Sequence, residues 1–288
     1  MNAEHTNFAV CAFGQSGSSG LYDRARPDYP EIALQPIFES IKSGPNSGKR
    51  CKVVELGAGT GIFTRCLINA DRGDQIESIL SVEPSEGMRE GFKKSVLDPQ
   101  KFNTKGKTVD IAHGLFTEIP VSDESVDVVA IAQAWHWCIP QDHENSLIEI
   151  ARTLKKNGIL VLIWNLEDRE SAKWVSQIRD VYEQYEKGVP QYRTGEWKKM
   201  FEAPSFSKLF SSPIDKHITR SVQTTRDGVK ERILSKSYIT ALTPDERSNV
   251  LQKVDEALDG AEGYKWVDRE SGIFEYPYVT DLYIFKKL

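Results

Sequence analysis

The sequence predicts an α/β protein with a doubly wound, mostly parallel sheet of seven strands and an added helical and aromatic lobe. Short apolar segments alternate with amphipathic segments between residues 51 and 164. Near-continuous apolar strands are typical of parallel sheets that helices cover on both faces. Helices between consecutive strands favour right-handed crossovers and a doubly wound sheet. One of these strands ends in a glycine-rich turn, the position at which open α/β sheets bind nucleotides.

The chain before the sheet predicts an arm of mixed character. Gly14–Gly20 is rich in glycine and serine, which is typical of a flexible segment. Tyr22–Pro30 follows, and its tyrosines, arginines and prolines make it too polar for a core and too aromatic for an idle linker. Apolar residues then recur at helical spacing, which predicts a helix over 31–42, and 43–48 read as a loop.

Five strands and three helices alternate in the predicted core. The strands are bounded by glycine, asparagine and charged residues, and the helices by amphipathic spacing. The predicted strands are 51–56, 76–82, 108–112, 126–132 and 159–164, and the predicted helices are 60–70, 85–97 and 141–154.

The pattern changes after Trp164. An amphipathic helix is predicted over 168–187, followed by a loop-rich aromatic stretch from Trp197 to Phe210. Helical spacing returns near 226–237 and 244–258, the second with a capped start. Residues 272–286 are predicted to form an extended segment that adds the last strand to the sheet.

Composition narrows the class of protein. The 288 residues are 39% apolar and 27% charged, which supports a sizeable core, and the formal charge of −5 argues against a general nucleic-acid or membrane-surface binder. No apolar stretch of about 18 residues and no secretory signal are present, so a soluble cytoplasmic protein is expected. The cysteines form no C-x-x-C pair, which predicts reduced thiols and no metal site.

The glycine turn is the centre of the functional prediction. Glu55–Gly61 follows two β-branched residues and contains three alternating glycines. Glycine allows positive φ angles and lets a ligand approach the main chain. Glu83 ends the next apolar strand, 22 residues after Gly61, where a carboxylate reaches a bound ribose. The alternative is a tight turn without a ligand.

These motifs, with Gln133–Trp137 and Leu154–Leu160, resemble those of class I S-adenosylmethionine (SAM)-dependent methyltransferases. The resemblance covers roughly residues 20–165 and the closing strand Tyr283–Lys286. It implies a Rossmann-like methyltransferase fold and SAM as cofactor. Tyr22–Pro30 together with Gln133–Trp137 is similar to a small-molecule group that includes fungal trans-aconitate methyltransferase-like enzymes.

The resemblance also implies a division of the chain into four parts. Residues 1–45 would form an arm and helix that cover the cofactor site, and 46–166 the SAM-binding core. Residues 167–270 would form a substrate lid with remaining core elements, and 271–288 the last strand.

The site residues implied by the resemblance come from the arm, the glycine turn and three strand ends, with no metal. The cofactor-binding residues are Tyr22, Arg26, Glu55, Gly57, Ala58, Gly59, Thr60, Gly61, Glu83, Pro84, Met88, Phe116, Thr117, Gln133 and Ala134. Many relatives place an acid after the glycine that follows strand three, where it meets the adenine amine. Here Leu115 follows Gly114, so that contact falls either to Phe116 and Thr117 or to Glu118.

Trp135, His136 and Trp164 are the predicted substrate contacts, and His136 is the candidate catalytic residue. His136 would act as a general base, donate a hydrogen bond to a carboxylate acceptor, or only shape the pocket between its tryptophan neighbours. Arg26 would bind an acidic substrate or the SAM carboxylate in two-point fashion. Its alternative is a surface ion pair with Asp23 or Asp28.

The function predicted from the resemblance is methyl transfer from SAM to a small-molecule acceptor, a carboxylic acid such as trans-aconitate being one candidate. A non-catalytic SAM-binding regulatory protein is an alternative, since fold does not fix function. An NAD(P)-dependent oxidoreductase is disfavoured by the glycine spacing and by the lack of a Tyr-x-x-x-Lys relay. The expected state is a monomer or homodimer without nucleic-acid or membrane partners.

Overall fold

The computed structural model describes residues 18–42 and 48–288. Residues 43–47 of the predicted loop at 43–48, Cys11 and most of the predicted flexible segment lie outside these residues. The end of that segment is helical, because the first helix begins at Ser18 and runs to Ala25. The sequence analysis did not predict a helix at Ser18–Gly20.

The described strands form one sheet of eight strands in the order β3-β2-β1-β4-β5-β8-β6, and β7 pairs with β8 beside this path. Strands β1 to β5 are parallel, whereas β8 runs antiparallel between β5 and β6. The strands are β1 Cys51–Leu56, β2 Ile76–Val82, β3 Thr108–Ala112, β4 Val126–Ala132, β5 Leu154–Glu167, β6 Ile214–Thr224, β7 Trp266–Asp268 and β8 Ile273–Lys286.

Helices cover both faces of the sheet and build the added lobe. The α-helices are α1 Ser18–Ala25, α2 Glu31–Lys42, α3 Ile62–Ala70, α4 Glu86–Phe92, α5 His143–Thr153, α6 Lys173–Glu183, α7 Phe206–Leu209, α8 Arg226–Leu234, α9 Ser237–Thr240 and α10 Pro244–Asp259. Short 3-10 turns at Trp135–Trp137, Pro140–Asp142, Tyr192–Thr194 and Glu196–Glu202 connect them.

The α/β Rossmann-like prediction is confirmed, and four strands have the predicted bounds. Val53 and Val54 of β1 are buried from opposite faces, Val53 against α2 and α3 and Val54 against the α5 side. Burial on both faces is what makes the parallel strands apolar throughout and therefore readable in the sequence. The last strand was also predicted correctly, as β8.

The sequence interpretation placed six strands and missed β6 and β7. With β6 the main path of the sheet has the predicted seven strands, and β7 beside it is the eighth. Ile214–Thr224 pairs with β8 on one side only, and most of its residues are exposed or half-buried. An edge strand of this kind lacks the apolar run that marks the central strands. The predicted helix over 226–237 is in fact two helices, α8 and α9, with a break at Ser235 and Lys236.

Two features of the fold position the site. The strand order reverses between β1 and β4, and ligands of open α/β sheets bind outside the carboxyl ends of the strands at such a reversal. Helix α1 contacts α4 and α8, and its Asp23 accepts a hydrogen bond from Thr60 of the glycine turn. Of the helices in the described residues, none combines the length and apolar character that crossing a bilayer requires.

Candidate active site

The glycine turn brings bare backbone to the reversal point of the sheet. Gly57, Gly59 and Gly61 all have positive φ angles, of 68°, 56° and 85°. A Cβ on Gly57 would lie 2.5 Å from the Cβ of Ala134, which is closer than non-bonded carbon atoms approach in protein structures. Glycine is therefore required at 57 for both conformation and space.

A cleft of about 1000 Å³, partly open to solvent, lies above this turn, and we call it the central cleft. Its walls come from the carboxyl ends of β1, β2 and β4, from the turn after β3 and from α1. The predicted cofactor residues that line it are Tyr22, Gly57, Gly59, Glu83, Pro84, Met88, Phe116, Thr117, Gln133 and Ala134.

Glu83 holds the glycine turn and the end of β2 together. Its side chain accepts hydrogen bonds from the N–H of Gly59, at 3.0 Å, and from the N–H of Ser85, at 2.9 Å. Burial raises the pKa of Glu83, and these two N–H groups oppose that rise. The carboxylate is thereby fixed in one orientation in the wall of the cleft.

A smaller cavity of about 390 Å³, the side cavity, adjoins the central cleft beneath the arm. Arg26, Glu55 and Ala58 line it, together with Tyr22 and Gln133, which line the central cleft as well.

Glu55 is the buried acid of the side cavity. The Thr64 hydroxyl donates a hydrogen bond to its carboxylate. Burial raises the pKa of Glu55 to about 8, so the group is largely protonated at neutral pH in the absence of a cation beside it.

A polar cavity of about 670 Å³ adjoins the central cleft on the side of the added lobe. Tyr22, Gln133 and Trp137 line both spaces, so the cavities share one wall. Gln133 adopts a left-handed conformation with φ of 56°, and its side-chain amide donates to the carbonyl of Asn165. Strained residues of this kind are common at ligand sites, and this one marks the junction of all three cavities.

Charged side chains dominate the polar cavity, and most of them form pairs. Glu167 accepts from Arg232 at 2.8 Å and from Lys236 at 3.1 Å. Glu186 pairs with Arg193. Glu183, also in the wall, lies 2.6 Å from Arg179, which packs behind it.

Arg26 is the exception. It donates to the carbonyl of Ser235 at 2.8 Å and stacks 4.6 Å from the Tyr22 ring centre, and no carboxylate of the described chain lies within ion-pair distance of it. The polar cavity is lined by four cationic side chains and three carboxylates, so its formal charge is +1 when Lys236 is protonated.

In the buried cluster around Glu167, the pKa values of the acid and of two neighbouring bases are all lowered, which favours the charged form of the acid and the neutral form of the bases. Burial opposes ionisation of Glu167, but Arg232 and Lys236 outweigh it and hold its pKa well below the usual range. Burial and the neighbouring Arg232 lower the pKa of Lys236 to about 7. Burial and Arg232 also lower the pKa of Arg26. The cluster thus contains cations that a bound anion would stabilise.

His136 lies in the wall of the polar cavity, in the 3-10 turn after β4. The indole N–H of Trp164 donates to its Nδ1 at 3.3 Å, which leaves the proton of the neutral ring on Nε2. Burial and Arg26 lower the pKa of His136 to about 3. A ring with this pKa is a weak base, so the geometry favours hydrogen-bond donation.

Trp135 and Trp164 lie behind these walls. Trp135 is fully buried and stacks on His143, with 5.4 Å between the ring centres. Trp164 is fully buried and stacks on Tyr192, with 4.5 Å between the ring centres. Trp137 is the tryptophan that lines the cleft and the polar cavity.

Two residues of the turn support the site from behind. The Thr60 hydroxyl donates to Asp23 of α1 at 2.8 Å, and Gly61 packs against Phe92. Neither residue lines the three cavities.

Sequence analysis missed most of the polar cavity. Apart from Arg26, its charged residues come from the end of β5, from α6 and the segment that follows α6, and from α8 and the segment between α8 and α9. No local sequence motif joins them. The residues without a sequence prediction are Asn165, Leu166, Glu167, Tyr182, Glu183, Glu186, Gln191, Tyr192, Arg193, Arg232, Lys236, Ser237 and Tyr238. Only the position of this lobe after β5 pointed to it.

The fold and the cleft define an α/β Rossmann-like protein with an open cleft at the reversal point of its sheet. Comparison with known proteins identifies the group within that class. Residues 54–162 match the family model described as a methyltransferase domain. Over 238 residues the chain is 30% identical to an uncharacterized methyltransferase-like protein of Schizosaccharomyces pombe, with 82% of each chain covered. The chain belongs to the methyltransferase family, and this membership implies SAM as the methyl donor.

Other relatives and one solved structure agree on the fold. An uncharacterized methyltransferase of Mycobacterium bovis is 35% identical over 162 residues, which cover 56% of each chain. The structure of a protein of Anaeromyxobacter dehalogenans, provisionally classed as a type II methyltransferase, aligns with a TM-score of 0.60. That alignment covers 91% of this chain and 97% of the other at 17% identity, which shows the shared fold.

Proposed function

We propose that this protein transfers the methyl group of SAM to a small acidic acceptor. In this proposal the central cleft and the side cavity hold the cofactor, and the polar cavity holds the acceptor. The observation that carries the proposal is the wall of Tyr22, Gln133 and Trp137 shared by an apolar cleft and a polar cavity with one more cationic side chain than carboxylates.

The residues of the cleft fit SAM better than a dinucleotide. The N–H groups of Gly57 and Ala58 bond the Val82 carbonyl, that of Gly59 bonds Glu83, and that of Gly61 bonds the Ala58 carbonyl. The turn therefore offers none of these four N–H groups to a pyrophosphate, the group that dinucleotide folds bind at this position. SAM has no phosphate to place there.

Three polar groups would hold the parts of SAM. Glu83 would accept hydrogen bonds from both ribose hydroxyls, a role suited to a fixed carboxylate. Glu55 would hold the amino group of the methionine part in the side cavity. Arg26, which lines both the side cavity and the polar cavity, would bind a carboxylate of either the cofactor or the acceptor. Bound SAM supplies an electrophilic methyl group on a sulfonium sulfur.

The polar cavity favours an acceptor that carries a carboxylate. Its excess positive charge attracts an anion, and Lys236 and Arg232 are buried where a charge has little competition from water. A carboxylate is ionised at neutral pH and needs no general base before it accepts a methyl group. The Nε2–H of His136 would orient such a carboxylate, and a pKa of about 3 keeps this ring neutral.

Calorimetric titration tests the cofactor, and transfer of label from methyl-labelled SAM to a panel of small acids, trans-aconitate included, tests the reaction. We expect SAM to bind and NAD not to bind, with label recovered as a base-labile ester. SAM binding without transfer to any acid would support a non-catalytic SAM-binding protein. Absence of SAM binding would refute the proposal.

Glu55→Gln is expected to remove a proton release that accompanies SAM binding. Because the pKa of Glu55 is about 8, the group is mostly protonated at pH 7, and an ammonium group beside it favours ionisation. SAM affinity should therefore rise with pH between about 6 and 8 in the wild type. Titrations in buffers of different ionisation enthalpy should give close to one proton released per SAM, and about none for the variant. Equal proton release by both proteins would contradict the role of Glu55.

A further inference from the structure

The central cleft has a polar side that the ribose and methionine contacts leave unused. Glu83 enters the cleft from the end of β2. On the β4 side, Asp142 and Ser146 line the same cleft from the turn before α5 and its first residues. Strands β2 and β4 flank β1 in the sheet, so these polar groups enter the cleft from opposite sides of the glycine turn.

The surface between these polar groups is apolar and suits a flat aromatic base. Adenine presents two apolar faces, and its polar atoms all lie at the ring edge, where the exocyclic amine is a hydrogen-bond donor. The apolar residues that line the cleft include Val82, Met88, Leu115, Phe116, Ala134 and Trp137. A base held between such residues needs an acceptor at its amine edge.

Of the residues expected from sequence to meet this amine, Phe116 and Thr117 line the cleft without offering a carboxylate, and Glu118 lies outside it. Leu115 occupies the position at which many relatives carry an acid, and its N–H bonds the carbonyl of Glu118 at 3.0 Å. Glu118 is exposed and does not line the cleft. Thr117 lines the cleft, but its hydroxyl is a weaker acceptor than a carboxylate.

Asp142 supplies the missing acceptor. It is half-buried in the wall of the cleft, at the end of the 3-10 turn that leads into α5. Its side chain does not cap α5, and among the described residues no hydrogen-bond donor or cation bonds to it. Ser146, its neighbour in the wall, is already within 3.2 Å of the Cys138 sulfur. A carboxylate with free acceptor capacity therefore faces an apolar slot.

We propose that Asp142 accepts a hydrogen bond from the exocyclic amine of the cofactor's adenine and thereby determines the specificity of the cleft for adenine. The inference rests on the proposed binding of SAM in this cleft. A carboxylate only accepts hydrogen bonds. It therefore selects an amine and rejects a purine that carries a carbonyl oxygen at the same position, since two acceptors would then face each other.

The test compares two ligands that differ only at this position, S-adenosylhomocysteine and its 6-oxo analogue S-inosylhomocysteine. We expect the wild type to bind the adenosyl compound at least about 10-fold more tightly by calorimetry, the discrimination expected of a polar contact at a base edge. Asp142→Ala should weaken adenosyl binding by about 10-fold and reduce the preference to within about 2-fold. Asp142→Asn, which adds a donor, should bind the inosyl compound more tightly than the wild type does.

Glu118→Ala is the matched control, because it removes an acid from the neighbouring turn outside the cleft, and it should keep the wild-type preference. Loss of the preference in Glu118→Ala, or its retention in Asp142→Ala, would overturn the assignment of Asp142. An unchanged thermal midpoint for Asp142→Ala is expected, since this side chain makes no hydrogen bond within the described chain. If the wild type bound neither ligand, the proposed SAM binding would fail and not the assignment of Asp142 alone.

Discussion

Replacing Glu83 with alanine is expected to weaken SAM binding by about 100-fold or more. Two hydrogen bonds between a carboxylate and the ribose hydroxyls contribute on the order of 1.5–3 kcal/mol each, and both disappear together. The substitution also leaves the N–H groups of Gly59 and Ser85 without their acceptor, so the thermal midpoint should fall as well. Isothermal titration with SAM and a melting curve measure the two effects.

Glu83→Gln removes the charge and half of the acceptor capacity, because its single amide oxygen can accept from only one of the two N–H groups that bond the two oxygens of Glu83. We expect its melting midpoint to lie between those of the wild type and Glu83→Ala, and its SAM affinity to fall by about 10-fold. Glu77→Ala removes an exposed acid from the same strand and should change neither quantity. An unchanged SAM affinity in Glu83→Ala would show that this carboxylate does not bind the cofactor.

Replacing Arg26 with alanine is expected to raise the KM for an acidic acceptor, or the Kd for SAM, by about 30-fold or more. Loss of one partner from a buried charge pair costs about 2–5 kcal/mol. Steady-state kinetics with the best acid of the panel, together with SAM titration, shows which carboxylate Arg26 binds. Arg26→Lys should recover part of the loss, since lysine keeps the charge without the two-point geometry.

Arg24→Ala is the control for this change. Arg24 precedes Arg26 by two residues, pairs with Glu231 at 2.8 Å on the surface and does not line the polar cavity. A salt bridge this exposed contributes little, so small effects are expected. If Arg26→Ala left the affinities for SAM and for the acceptor both unchanged, the arm would have no part in either site.

The arm shows which features the local sequence could predict and which it could not. Tyr22–Pro30 was recognised as neither core nor linker, and Tyr22 indeed lines all three cavities. The contacts that hold the arm were not predictable: Asp23 bonds Thr60 and Arg65, and Arg26 bonds a carbonyl beyond α8. A salt bridge between Arg26 and Asp23 or Asp28, the alternative for this residue, does not form in the structure.

Of the candidate site, the half built on the sheet was predictable and the half built on the lobe was not. The glycine turn and Glu83 carry their signal locally, because a positive φ demands glycine and a strand end has a fixed place in the sheet. Arg232 on α8 and Lys236 in the break before α9 carry no such signal, since charged residues usually face water. Glu167 is the last residue of β5, whereas the sequence predicted that this strand ends three residues earlier, at Trp164.

The sequence by itself determined the parallel sheet, the glycine turn at its reversal point and the carboxylate beside that turn, because each depends on neighbours a few residues away. Only the tertiary structure decided which charged side chains line the polar cavity. Arg26, Glu167 and Arg232 are separated by 141 and 65 residues along the chain, yet they border one cavity. Their approach results from the packing of α1 and α8 beside the sheet. A charge pattern within one helix cannot specify the partner that a neighbouring element brings to it.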